Sequence, residues 1–426
     1  MKRVVHISSV HTPFDSRILH RECKWLAKSG YEVFFIVRAD FSEKIEGNVK
    51  ILGVQKSGSR FKRPLIWLQI IRKIHKLKPD ILHFHDPELL AILPVVRMLS
   101  RNKLKIVYDV HEYFIESIKD KFWIPLHLRT ITAFFVSWFE SFLGKWVDGQ
   151  VFVVHEQIQY YSRWKTAKIV VHNYPDLNYF KPGYCKPENF KTGYFKPDNF
   201  VPDNFVPDNL KPDNFKPDNF KPGFRKKKDQ EKRFTLVHIG SLYERRGIMT
   251  MLKALRLLIN DGYDVHLVLG GVFESQSFRD RVEDFIRENN LEANIDILGW
   301  IDYARINEQL AEADAVWLAY YPSLQYSRSS ISTKQLEAML ASLPVICSDL
   351  PSLTRFVDEA ACGISVSPKD PAAHAEAIKK LYHNPGEAGK MGARGRQLIL
   401  EKYNWQNEVR HLNNFYEALF TGKNQT

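Results

Sequence analysis

Residues 234–271 read FTLVHIGSLYERRGIMTMLKALRLLINDGYDVHLVLGG, and their pattern sets the fold class. A short Leu/Val/Ile run ends at Gly240-Ser241. Two arginines and Gly247 follow, a helical apolar period runs over Arg246–Asn260, and a second apolar run begins at Val265. Strand, helix and strand in this order form a crossover unit that joins two parallel strands. The turn has a chemical meaning as well. A glycine-bearing strand-to-helix turn offers free N–H groups, and a guanidinium beside it faces the same space, so the pair suits a phosphate. Many α/β turns carry Gly and Arg on a solvated face, so this turn alone does not assign a ligand.

The pattern repeats outward in both directions. Before it stand RVVHISS, YEVFFIV, VKILGV, DILHFH, KIVYDV, GQVFVV and KIVVHN, separated by helical periods at Ser16–Ser29, Leu65–Leu77 and Glu88–Leu99. After it stand NIDILGW, AVWLAYY, LPVICSD and CGISVSP, with helical periods at Phe278–Asn289, Lys334–Ala341 and Ala372–Leu381. Short buried-type strands alternating with helices indicate parallel sheets covered on both faces. The 426 residues suffice for two such domains. Ligands of open parallel sheets sit beyond the carboxyl ends of the strands, so the cleft between the halves is the expected site.

Nine pentads from Lys181 to Arg225, of the type KPDNF and VPDNF, separate the halves. Proline at nearly every fifth position removes backbone donors and disfavours helix, and Pro-Asp-Asn is turn chemistry. An extended or loosely turned linker is expected, tolerated because loop closure costs grow slowly with length. The expected organisation is 1–177, a linker at 178–228, 229–403, and a C-terminal helix at 404–426 that packs back on the first half.

A second chemically sharp stretch is Ser327-Arg328-Ser329-Ser330-Ile331-Ser332-Thr333-Lys334-Gln335-Leu336-Glu337. Ser332 with Gln335 predicts a capping box and a helix with Lys334 in its first turn. A lysine there opposes the helix dipole, which an anionic ligand at the same terminus would explain. Glu337, one turn on, is placed to accept hydrogen bonds from a diol.

TKQLEAMLASLPVICSDLPSLTRFV resembles the donor-site segment of the retaining glycosyltransferase family 4, and so do HIGSLYERRGIMTMLKAL, ILGWIDYARINEQLAEADAVWLAYYPS and GARGRQLILEKYNW. In the first half, HTPFDSRILHRECKWLAKSGYEVFFI, DILHFHDPELLA and VYDVHEYF are similar to the same family's acceptor domain, and VVHNYPDLNYFKP to its interdomain crossover. The resemblance implies a GT-B fold, two doubly wound Rossmann-like domains facing across a cleft. It implies retention at the anomeric carbon, a UDP-, GDP- or ADP-sugar donor, and no cofactor or donor-site metal.

Matched position by position, Arg246 corresponds to the residue that grips the donor diphosphate, Glu337 to the second glutamate of the E-x7-E signature on the ribose, and His111 to the histidine near the transferred sugar. Two positions depart from the pattern. The first glutamate of the signature is Ser329, and the arginine often found after the first-strand glycine is Ser241. Lys334 is expected to supply the missing positive charge. The donor side is thus Gly240, Ser241, Arg246, Ser329, Ser330, Lys334 and Glu337, with His111, Arg246 and Lys334 carrying the chemistry. Asp15, His85 and Glu112 are the acceptor-side candidates. Asp15 reads equally as a ligand contact or as the cap of the helix after it. His83, His85, Asp86, His111 and Glu112 have the residue types of a metal cluster, but they sit in and after an apolar strand, and no metal is expected.

Composition bounds the remaining classes. With 44% hydrophobic and 26% charged residues the chain is globular. Cys23, Cys185, Cys347 and Cys362 share no staple or zinc spacing, and the apolar N-terminal run is interrupted by His6, Ser8 and Ser9, so a cytoplasmic protein without a secretory signal is expected. The net charge of +12 attracts polyanions. No nucleic-acid recognition module appears. An anionic membrane surface is the better partner, through basic aromatic patches at Arg60–Lys78 and Trp123–Trp146. The acceptor would be a saccharide or a lipid-linked one. Two other readings keep the fold: a sugar-nucleotide epimerase, and a degenerate partner protein motivated by Ser329 and Ser241.

Overall fold

A computed structural model describes residues 1–54, 63–100, 103–111, 125–179, 233–301, 305–323 and 331–421. The pentads, Ser329, Ser330 and Glu112 lie outside the described residues.

The first half is an eight-stranded sheet built from β1 (Arg3–Ile7), β2 (Glu32–Arg38), β3 (Glu43–Glu46), β4 (Val49–Val54), β5 (Ile81–Phe84), β6 (Lys105–Val110), β7 (Gly149–Phe152) and β8 (Ala167–Val170). The spatial order is β3-β4-β2-β1-β5-β6-β7-β8, parallel except for β3 against β4. The second half holds β9 (Phe234–Ile239), β10 (Val265–Gly270), β11 (Ile295–Gly299), β12 (Ala315–Leu318), β13 (Val345–Ser348) and β14 (Gly363–Val366), in the order β11-β10-β9-β12-β13-β14. Within its own domain that order is 3-2-1-4-5-6, the doubly wound arrangement. Without β3 the first sheet begins the same way. Each sheet therefore reverses direction once, between β1 and β5 and between β9 and β12. Those two switch points are where a crevice opens above the strand ends.

Buried residues cover both faces of each sheet. One face of the first sheet packs on Ile66, Ile70 and Ile74 of the helix Arg63–Leu77 and on Leu93 and Val96 of Leu93–Leu99. Its other face packs on Ile18, Leu19, Leu26, and the helix Trp405–Thr421 through Trp405, Val409, Leu412, Phe415, Tyr416 and Leu419. Burial of side chains this size stabilises by about 2 kcal/mol each, enough to hold a helix that comes from the far end of the chain. Its entry is tied to the outgoing segment of the first half. Trp405 N–H donates to Pro175 O (2.9 Å), Gln406 Nε2 to Asp176 Oδ1 (2.8 Å), and Trp25 Nε1 to Asp176 Oδ2 (2.6 Å).

Three local expectations differ from the structure. Ser16–Cys23 winds as a π-helix before the short α-helix Lys24–Lys28, where the sequence predicts one regular helix. β3, with Glu43, Lys44 and Glu46 in four residues, has no apolar signature and exists through backbone pairing to β4. The helix Thr333–Leu340 begins after Ser332 as expected, but the capping box does not form. The Gln335 N–H donates to Ser332 O (3.1 Å) and not to its hydroxyl, and the buried Gln335 side chain donates through Nε2 to Leu353 O (2.8 Å).

Candidate active site

At the second switch point, β9 is followed by Gly240 with φ +147°, its N–H donating to Gly270 O (2.7 Å). A Cβ there would lie 2.0 Å from Lys334 Cε. The lysine chain is thus laid against the bare backbone of the turn, an approach open only to glycine. Ser241 follows, half-buried. The turn Glu244–Arg246 ends in Gly247, at φ +74°, where a Cβ would meet Ala319 O at 1.8 Å. That contact presses the arginine turn against the end of β12, and the Arg246 guanidinium stacks over the Tyr320 ring at 4.4 Å. Lys334 and Arg246 both act on His238, which is buried beneath them on β9. Burial first, then these two cations, push His238 down to about 3, although its Nδ1–H donates to Trp317 O at 2.9 Å. Two cations therefore converge over a neutral imidazole at a glycine turn. The start of the helix Thr333–Leu340, not closed by its own cap, adds backbone N–H groups.

Glu337, one helical turn after Lys334, is buried. Its Oε1 lies 3.5 Å from Arg21 Nη2 of the first half, and Arg21 also donates to Asn173 Oδ1. The two halves meet through this pair.

At the first switch point, Asp15 accepts from Arg17 N–H and Ile18 N–H, both at 2.9 Å, and so caps the π-helix. It also pairs with His11 Nδ1 at 3.1 Å. Burial opposes its charge, but His11 and the Ile18 amide hold the carboxyl well below its usual range. Behind it, Arg17 makes a two-pronged contact with Asp109 on β6 (Nε–Oδ2 3.1 Å, Nη2–Oδ1 3.2 Å) and stands 3.0 Å from Glu22. In a π-helix residues five apart are hydrogen-bonded neighbours, which is why Arg17 and Glu22 meet. Burial works against Asp109, yet Arg17, His111 and His85 keep its carboxyl well below the usual range. His111, partly exposed after β6, lies 2.9 Å from His85 Nδ1 and 3.3 Å from Asp109 Oδ2. His85 is fully covered, and burial pushes it down to about 4. Asp86 accepts from Ser8 Oγ (2.8 Å) and Ser9 N–H (2.6 Å), fastening the loop after β1.

The structure thus brings Gly240, Ser241, Arg246, Lys334 and Glu337 to one turn, and His111, His85 and Asp15 to the other. Arg17, read in sequence with Asp15 as part of the first loop, joins them, as do Arg21 and Tyr320, which sequence did not single out. Arg21 is one of several polar residues in a mixed helical period, SRILHREC, and Tyr320 ends an apolar run, so neither carries a signal of its own.

The comparisons with known proteins agree with this architecture. Residues 220–398 match the family model described as Glycosyl transferases group 1, and residues 16–178 match Glycosyltransferase Family 4. An uncharacterised glycosyltransferase of Methanocaldococcus jannaschii is 25% identical over 190 residues, 45% of this chain and 46% of that protein. The chain so matches less than half the length of this curated relative. Sucrose-phosphate synthase from Thermosynechococcus elongatus superimposes with a TM-score of 0.69 over 99% of this chain and 100% of that one, at 17% identity. Anabaena HepE in complex with UDP and glucose does so with a TM-score of 0.65 over 98% and 100%, at 12% identity. With two parallel-sheet domains and a family match on each half, the chain belongs to the family 4, group 1 glycosyltransferases and has their GT-B fold.

Proposed function

We propose that this protein transfers a sugar from a nucleoside-diphosphate donor to a hydroxyl acceptor, with retention at the anomeric carbon. The observation that carries the reading is the convergence of Lys334 and Arg246 at the Gly240 turn. In the reaction the bond from the anomeric carbon to the diphosphate oxygen breaks, and a bond to the acceptor oxygen forms on the same face. The acceptor proton passes to the departing phosphate. Negative charge grows on that phosphate, and prepositioned cations with helix N–H groups stabilise it. Glu337 holds the ribose diol, and His111, steadied by Asp109 and His85, hydrogen-bonds the sugar or acceptor. The structurally similar HepE is seen with UDP, which makes UDP the first donor nucleotide to test, before GDP and ADP.

The acceptor reading follows from the helix Leu126–Leu143. Ile131, Phe134, Phe135, Trp138, Phe139 and Phe142 are exposed, Phe134 by 67% and Trp138 by 61%, while Ala133, Glu140 and Leu143 face inward. No helix among the described residues is long and apolar enough to cross a membrane. We read the aromatic face as lying on an anionic bilayer at the cytoplasmic side, with Lys145 beside it and Arg72 and Lys76 exposed on a helix of the same sheet face. Such placement suits a lipid-linked saccharide acceptor.

Thermal shift against UDP, GDP and ADP tests the donor reading, since a ligand raises stability with the logarithm of its concentration over Kd. One nucleotide should stabilise and the others should do so far less. No shift with any of the three, or turnover of the sugar nucleotide without an acceptor, would overturn the reading.

A further inference from the structure

The interior of the first domain contains a polar cluster of which the transfer reaction uses only His85, as a support for His111. His6 on β1, Glu22 on the π-helix, and His83 and His85 on and after β5 are all buried. The parallel register pairs His6 with His83, which brings the rings side by side, with centroids 4.7 Å apart for His6–His83 and 4.8 Å for His83–His85. One ligand-type atom from each of the four residues falls within 4.8 Å of the others. His6 Nδ1 and His85 Nε2 are 3.0 Å apart, and Glu22 Oε2 is 3.7 Å from the first and 3.8 Å from the second.

The 3.0–3.8 Å spacings among His6, His85 and Glu22 bracket those of a coordination shell, and His83 lies within 4.8 Å of them. A divalent ion bonded at about 2.0–2.1 Å in tetrahedral geometry sets neighbouring ligand atoms about 3.3 Å apart. Hydrogen bonding alone leaves the cluster poorly satisfied. His83 Nε2 and Glu22 Oε2 are buried without a hydrogen-bond partner, and Glu22 Oε1 has only the Arg17 guanidinium at 3.0 Å. Orphaned groups of this kind are costly, and two in one place call for an explanation. Arg17 stands near Glu22 but its hydrogen bonds go to Asp109 and to Val171 O. The outer faces of the imidazoles are held as those of metal ligands are: His83 Nδ1 is 2.6 Å from Tyr416 OH, and His85 Nδ1 is 2.9 Å from His111 and 3.3 Å from Asp109.

We infer that His6, Glu22, His83 and His85 form a closed structural site for a divalent transition-metal ion, with zinc the best fit to three imidazoles and one carboxylate. With four protein ligands the ion would be structural and not catalytic. It would pin β1, β5 and the π-helix together, and through His85 fix the place of His111. This inference is independent of the donor reading, because it concerns the opposite domain and is measured without nucleotide.

The test uses the untagged full chain. Metal content of the purified protein should approach one zinc per chain. After chelation, melting should fall and recover on adding Zn2+ alone, and Co2+ should give the intense visible bands of a four-coordinate ion. Glu22→Gln should weaken Zn2+ binding at least tenfold, and His83→Gln likewise. If either variant fails to fold, the cobalt spectrum and the chelator response of the wild-type chain decide. Protein that is free of metal, melts identically with and without chelator and shows no cobalt bands would overturn the site.

Discussion

The Arg21 guanidinium and the Glu337 carboxylate, on opposite halves of the chain, lie 3.5 Å apart and nearly sealed from solvent. The acid assigned to the donor ribose is thus neutralised by the first domain. A ribose diol reaching Glu337 must share it with Arg21 or displace it, so donor binding and the contact between the halves are coupled. Glu337→Gln is expected to weaken UDP at least tenfold, about 1.4 kcal/mol. Arg21→Gln, which removes this ion pair, is expected to change UDP affinity by a different factor in the Glu337→Gln background than alone. Calorimetric titration of the four proteins measures the coupling, and strict additivity would separate the two residues.

Lys334→Ala should lose most of the UDP affinity and Arg246→Ala a comparable share. Ser241→Arg in the Lys334→Ala background should recover part of it, since both cations would serve one phosphate. The structure adds a third route. Gly240→Ala places a methyl 2.0 Å from Lys334 Cε and must push the lysine away. Its nucleotide affinity should fall toward that of Lys334→Ala. Wild-type affinity in a folded Gly240→Ala protein would remove the lysine from the site.

Glu140 offers a stability test. It is buried, and burial raises its carboxyl from the ordinary 4.5 to about 7, although Tyr161 OH (2.9 Å) and Tyr108 OH (3.4 Å) donate to it. The folded state then holds a proton that the unfolded chain has released. Its contribution is fully present below pH 4.5 and is lost as pH rises through about 7. Over that window the wild type should lose about 3 kcal/mol that Glu140→Gln keeps. Parallel melting curves across the window would show that Glu140 does not titrate there.

The aromatic face of Leu126–Leu143 is checked by flotation with vesicles of phosphatidylglycerol and phosphatidylethanolamine. Phe135→Glu with Trp138→Glu should cut vesicle binding more than tenfold and leave melting unchanged, because both rings are exposed. Equal binding by the double variant would move the contact elsewhere on the surface.

Most of the fold was legible in sequence for one physical reason. Strands buried on both faces read as unbroken apolar runs, and every such run from RVVHI to GISV became a strand. What was not legible depends on partners distant in sequence. Glu43–Glu46 is a strand only because β4 offers its edge. Gln335 abandons the cap because Leu353 O lies beneath it. His6 looks like a stray polar residue in an apolar strand, and Glu22 like one more charge in a mixed helical period. They meet only after β1 pairs with β5 and the π-helix gains its wider turn. Of the candidate site, Gly240, Ser241, Arg246 and Gly247 were readable together because they stand in one short turn, whereas Lys334, distant in sequence, was joined to them only through the family resemblance. Arg21 against Glu337 was not readable, since that pair exists only between the folded halves.

The outgoing segment at Pro175-Asp176 and the returning one at Trp405-Gln406 are hydrogen-bonded to each other. Two crossings bound side by side act as a hinge pin, where a single strand would act as a swivel. Twisting one domain on the other would shear those bonds, whereas swinging about the pin leaves them intact. The movement of any residue during such a swing scales with its distance from the pin. The long pentad segment, spliced into only one of the two crossings, can therefore lengthen without loosening the joint.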